Sequence, residues 1–215
     1  QRLMSNADAA LGQARRQPVP GYSFHQQAGQ TDAADSQHLL GDLHHAQALG
    51  QLRLHYQPKF PSCGYPVVGV EALLRWQHPV HGLIAPDNFI PLAERCGLIL
   101  PIGNWVLDQA CHQLQQWRQA GYLDWTMSVN LSPLQFSDND LVAVVRDVLA
   151  RHAIPPSQLI LEVTETSALG DMQASLGILN QISALGVRIS IDDFGTGYST
   201  LLYLKQLPAT ELKID

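Results

Sequence analysis

The feature that most limits what this chain can fold into is a repeated pairing of short, two-faced strands with helical segments. Side chains along a strand alternate between faces with period 2. In residues 66–76, Val68, Val70, Ala72 and Leu74 oppose Glu71, Leu73 and Arg75. In 126–132, Met127, Val129 and Leu131 oppose Ser128, Asn130 and Ser132. The strands at 52–59, 159–166, 187–194 and 211–215 repeat the contrast, the last setting Leu212 and Ile214 against Glu211, Lys213 and Asp215. Apart from the first two strands, each is separated from the next by helical spacing: about 86–120, with Pro86 suited to a first turn, then near 139–152, 171–185 and 199–206. Such alternation predicts parallel strands joined by right-handed crossovers. An open sheet with helices on both sides buries both faces and wants both apolar. A closed barrel packs its outer strand faces on a ring of helices and lets inner residues near the C-terminal rim be polar and line a site. The expected fold is therefore α/β, a (β/α) barrel. A one-sided sheet with its polar face in water is the weaker reading, because parallel sheets are seldom open to solvent.

Composition narrows the function classes. With 215 residues and 46% hydrophobic content the chain can build one large core. A formal net charge of −6 disfavours a nucleic-acid duplex as partner, though not a small phosphorylated ligand. Cys63, Cys96 and Cys111 show no C-x-x-C spacing and read as free thiols of a reducing, cytoplasmic compartment. Nine scattered histidines without an H-E-x-x-H pattern exclude a zinc-protease reading. No apolar run reaches membrane-spanning length. The chain opens on Gln1 rather than methionine, so a longer, multidomain parent is expected, one that can be membrane-anchored through other segments.

The polar faces carry the chemistry. Glu71, Asn130, Glu162 and Asp192 come from four strands, each toward the strand's C-terminal half. Converged, they make a nest of oxygen ligands suited to Mg²⁺, Mn²⁺ or Ca²⁺ rather than zinc. Asp193 follows Asp192, and Gly195 and Gly197 free the backbone to turn, so Asp193 can reach the same rim. One bridging and one terminal aspartate can hold two cations about 3.5–4 Å apart, as in-line phosphoryl chemistry uses them. The same pair of aspartates alone reads as a strand-end turn; the companion ligands Glu71, Asn130 and Glu162 favour the metal. Lys213 either balances this charge or polarises an attacking water. Arg75 suits a phosphate, or else pairs with Asp87 or Glu94. Gln57 can hydrogen-bond a base or phosphate.

"YQPKF", "GVEALLRWQHP", "FIPLAERCGLI", "SVNLSPLQF", "LEVTET", "IDDFGTGYSTLLYLKQLP" and "LKID" follow in this order, and residues 37–215 resemble the bacterial EAL domain. The resemblance implies a (β/α)8 TIM-type barrel that hydrolyses cyclic di-GMP to linear pGpG with Mg²⁺ or Mn²⁺, two ions being expected. It implies Glu71, Asn130, Glu162, Asp192 and Asp193 as metal ligands, Lys213 beside the catalytic water with Glu71 and Asp192, and Gln57, Arg75 and Asp215 at the dinucleotide. Residues 1–25 resemble the tail of a GGDEF domain, and 26–36 read as a linker. The family pattern runs two βα units past Asp215; this chain supplies about six of eight strands, so the piece alone is expected to be inactive. A non-catalytic cyclic di-GMP receptor and a dimerisation scaffold are the alternatives, the homodimer forming through the loop after Asp193.

Overall fold

The structure, a computed structural model, describes residues 31–62, 64–136, 138, 140–169, 172–194 and 206–213. The GGDEF-like reading of residues 1–25, the helix near 199–206 up to residue 205, Gly195, Gly197 and Asp215 lie outside the described residues. Two units divide the chain, Gln1–Asp42 and Leu43–Asp215. The first contributes, among the described residues, only the opening of helix α1 (Thr31–Ala46). Of the segment read as a linker over 26–36, the described residues 31–36 open this helix; a polar stretch rich in alanine and aspartate is compatible with a helix as well as a loop.

The second unit is built on strands β1 (Leu52–Lys59), β2 (Gly69–His78), β3 (Gly82–Ile84), β4 (Thr126–Asn130), β5 (Leu159–Thr164), β6 (Arg188–Asp192) and β7 (Glu211–Leu212). Their order is β1-β2-β4-β5-β6-β7, with β3 on β2. From β2 to β7 the pairing along this path is parallel. The first pair is a hairpin, β1 running antiparallel to β2 with Leu52 opposite Trp76 and Lys59 opposite Gly69. The short β3, antiparallel to the end of β2, was not legible as a strand. The helical stretch predicted over 86–120 is two helices, α2 (Pro86–Arg95) and α3 (Ile99–Gln119), broken where Gly97 takes φ +75°. Pro86 occupies the first turn of α2, where its missing N–H costs nothing. Helices α4 (Pro133–Phe136), α5 (Leu141–Arg151), α6 (Glu165–Leu169) and α7 (Met172–Ala184) complete the set described.

The apolar strand faces form the core. Met127, Val129, Leu159, Leu161, Ile189 and Ile191 are buried, as are Leu107 and Leu114 of α3, Val145 of α5 and Ile182 of α7. Each such side chain stabilises the fold by about 1.5–3 kcal/mol relative to exposure. At the start of β2 the backbone of β4 comes so close that a Cβ on Gly69 would lie 2.2 Å from Thr126 Oγ1 and 2.7 Å from Thr126 O.

Contacts across the other face show that the sheet curls. Strands β1 and β5 are separated by β2 and β4, and in a flat sheet would lie about 14 Å apart. Strands β2 and β7 would lie about 19 Å apart. Two long side chains span roughly 10 Å end to end. Yet Lys59 Nζ stands 2.8 Å from Glu162 of β5, and Lys213 Nζ, just past β7, stands 3.3 Å from Glu71 of β2. Only a sheet wrapped into a barrel wall, with the polar face inside, brings these groups together. No helix among the described residues is long and apolar enough to cross a membrane.

Candidate active site

Parallel pairing sets the inner residues in register. Glu71 lies opposite Ser128, Asn130 opposite Glu162, and Thr164 opposite Asp192. Lys213 follows β7, and its backbone is pinned at both ends: its N–H donates to Ile191 O at 2.8 Å and its carbonyl accepts from Phe194 N–H at 3.1 Å. The ammonium then donates to Glu162 Oε2 at 2.6 Å, Asp192 Oδ2 at 3.2 Å and Glu71 Oε2 at 3.3 Å. Asn130 Nδ2 donates to Glu71 Oε1 at 2.8 Å, which leaves its carbonyl oxygen out of that bond. The four residues expected to converge, with Lys213 among them, therefore do so.

Glu162 is the anchor, 1% exposed in the middle of β5. Burial opposes its ionisation, but hydrogen bonds and charge from Lys213 and Lys59 outweigh that and hold its pKa below the usual carboxylate range. For Lys213 burial pulls the other way too. The hydrogen bond and charge of Glu162, then Glu71 and Asp192, overcome it and raise the ammonium pKa above its ordinary value. At neutral pH Glu162 is thus an ionised carboxylate beside a protonated Lys213.

Lys59, the last residue of β1, is a member of the nest that the sequence analysis does not single out. It donates to Glu162 Oε1 at 2.8 Å and to the buried Ser128 Oγ at 2.6 Å. Ser190, opposite Glu162 on β6, is fully buried and its hydroxyl has no hydrogen-bond partner among the described residues.

Asp193 turns the chain at the end of β6. Its φ of +56° is left-handed, a conformation aspartate tolerates better than most residues, and its N–H donates to Asp192 Oδ1 at 3.0 Å. Gln57 is the cross-strand neighbour of Glu71 and is exposed. Arg75 makes no ion pair with Asp87 or Glu94 among the described residues; its guanidinium donates to Leu74 O at 2.8 Å, and Glu94 instead accepts from Ser132 Oγ at 2.7 Å. Arg75 borders a cavity of about 420 Å³ between the end of β2, helices α2 and α3, and the loop after β4. Its walls are mostly apolar, with Asp87, Glu94, Asn130, Ser132, Gln135 and Thr164 as the polar companions of Arg75. At its base Gly103 gives room for Gln135, whose Nε2 would sit 1.9 Å from a Cβ there.

The donor set of three carboxylates and an amide fits a hard divalent cation. As the side chains stand, the Lys213 ammonium sits among the three carboxylates, and no three His, Cys, Asp or Glu side chains among the described residues are placed to hold a metal ion. A dication suits the same negative charge once the ammonium moves aside.

Comparison with known proteins agrees with this architecture. The chain is 57% identical over 213 residues, 99% of its length, to the bifunctional diguanylate cyclase/cyclic di-GMP phosphodiesterase MucR of Pseudomonas aeruginosa. It spans 31% of that relative, and about a third or less of the other curated relatives it matches along its full length. Among solved structures it resembles PaMucR phosphodiesterase in complex with c-di-GMP, at 61% identity and TM-score 0.81 over 83% of this chain and 72% of that one. The EAL enzyme Bd1971, bound to cAMP and cyclic di-GMP, matches at 37% identity and TM-score 0.78 over 85% of this chain and 50% of that one. EAL domains are (β/α)8 barrels, and the matched stretch, residues 40–215, takes in every strand described above: the chain belongs to the EAL domain family.

Proposed function

We propose that this chain is the catalytic domain of a phosphodiesterase that hydrolyses cyclic di-GMP to linear pGpG, with Mg²⁺ or Mn²⁺, two ions, in the carboxylate nest. The observation that carries the reading is the convergence of Glu71, Glu162 and Asp192 from three strands on the Lys213 ammonium, with Asn130 of a fourth strand donating to Glu71. The printed names of MucR and of the structure solved with c-di-GMP support the substrate.

When bound, the cations supply a low-pKa water and charge for the phosphoryl oxygens. Glu71, Asn130, Glu162, Asp192 and Asp193 are the ligands of this reading. Lys213, protonated at neutral pH, serves as a hydrogen-bond donor that orients the water oxygen and not as a base. Arg75, at the cavity and without a carboxylate partner among the described residues, contacts a phosphate. The cavity lies within the range of small-ligand pockets, about 300–1,000 Å³, and its apolar walls suit a nucleobase. Gln57 and Asp215 complete the contacts to the dinucleotide. The free thiols of Cys96 and Cys111 support a cytoplasmic site of action. A homodimer through the loop after Asp193 is part of the same reading.

The test is pGpG production by the intact parent protein. Turnover is expected with Mg²⁺ or Mn²⁺ and is lost in excess chelator and in Glu71→Ala. Undiminished turnover in chelator refutes the metal site. Binding of cyclic di-GMP without turnover in either metal makes the protein a receptor.

A further inference from the structure

The nest contains two ammonium groups, and they differ in what they touch. Lys213 contacts three carboxylates at once, at the point where a dication would neutralise them. Among the described residues Lys59 touches one carboxylate, Glu162, at Oε1, and is held there by a second bond to Ser128 Oγ. Its position is fixed by the barrel. It ends β1 opposite Gly69, at the floor of the site, and its side chain is 27% exposed against 0% for Glu162. A cation bound among the three carboxylates would compete with Lys213 for them, while Lys59 would keep its bonds to Glu162 and Ser128.

We infer that Lys59 is a resident counter-ion for Glu162: it keeps the nest assembled without metal, and it weakens the site's affinity for divalent cations. The inference rests on the reading of the nest as a metal site. The physical argument has two halves. A carboxylate excluded from water needs a positive partner, and two ammonium groups against the three carboxylates of Glu71, Glu162 and Asp192 nearly satisfy the nest before any metal arrives. The same fixed charge beside Glu162 then repels an incoming dication and shares its best-buried ligand. Lys59 is a positioning residue, since it acts through Glu162.

The experiment is calorimetric titration of Mn²⁺ into the metal-free protein, with Lys59→Met and Lys59→Arg compared to wild type. Lys59→Met is expected to bind Mn²⁺ about tenfold tighter, to melt lower in chelator, and to be stabilised more by Mn²⁺ than wild type is. Lys59→Arg keeps the charge and is expected to stay within about threefold of wild type. Lys59→Gln keeps a donor without the charge and reads as Lys59→Met does, which covers the case of a Met variant that does not fold. Equal or weaker Mn²⁺ binding in the uncharged variants overturns the inference alone. Failure of Mn²⁺ to bind wild type overturns both this inference and the metal reading beneath it.

Discussion

Glu162→Gln isolates the group on which the site is built. The substitution keeps volume and one carbonyl oxygen but removes the charge that two ammonium groups share, and it turns an amide donor toward one of them. Removing one member of a buried ion pair costs about 3–5 kcal/mol when the remaining charge is trapped. Here the partners are only partly covered, with side-chain exposures of 27% for Lys59 and 31% for Lys213, and water can take up part of the lost interaction. Lys213 also retains Glu71 and Asp192. The expected loss is therefore about 2–3 kcal/mol at pH 7 in chelator, or roughly 4–12 °C in melting temperature for a domain of this size. Its pH dependence has a definite sign. The carboxyl of Glu162 has a lower pKa folded than its ordinary 4.5, so its contribution is fully present above that value and fades as pH falls through the folded pKa. The ammonium of Lys213 is raised above 10.5, so its contribution is present below that value and fades at higher pH. Wild type and Glu162→Gln should differ most between these limits and converge in acid. Denaturant unfolding of the metal-free proteins at neutral and acid pH measures both. A variant as stable as wild type at pH 7, or a gap that widens in acid, refutes the account of Glu162 as an ionised, doubly paired anchor.

Two further substitutions probe the neighbourhood of the nest. Arg75→Ala is expected to raise KM by roughly 10–100-fold with kcat little changed, because a phosphate contact made equally in ground and transition states affects binding alone; steady-state kinetics decides, and a fall in kcat at constant KM contradicts it. Gly69→Ala is expected to destabilise the domain by about 1–3 kcal/mol, since its Cβ would meet Thr126 backbone and hydroxyl at 2.2–2.7 Å and force β2 and β4 apart; an unchanged thermal melt contradicts that packing.

The period-2 contrast made most of the fold and the nest legible. It works because burial on the outer face is a local requirement. Val70, Met127, Leu161 and Ile189 must all meet helices, so their neighbours Glu71, Ser128, Glu162 and Ser190 must all point inward. The breaks in the pattern were harder. Residues 31–36 are polar, and polarity alone does not separate a loop from an exposed helix. The antiparallel run of β1 against β2 is decided by a short connection that only a hairpin can satisfy, and β3 is three residues long.

Lys59 shows where sequence reasoning stops. On the inner face of β1 the chain offers Arg53, His55, Gln57 and Lys59, four polar side chains with equal claim to Glu162. Their register with β2 separates them: Arg53 stands opposite Arg75, His55 opposite Leu73, Gln57 opposite Glu71 and Lys59 opposite Gly69. A lysine two residues below Glu71 would be remote from β5 in a flat sheet. Curling the wall turns that offset into reach, because a long side chain at the barrel floor extends toward the axis and meets carboxylates from strands three places away. Which charge neutralises Glu162 is therefore set by stagger and curvature, both non-local quantities. The same geometry explains why charge balance by Lys213 could be anticipated while the part of Lys59 could not. Three carboxylates on neighbouring strands demand positive charge wherever the strands come from, and the barrel meets part of that demand with its own lysines before any cation arrives.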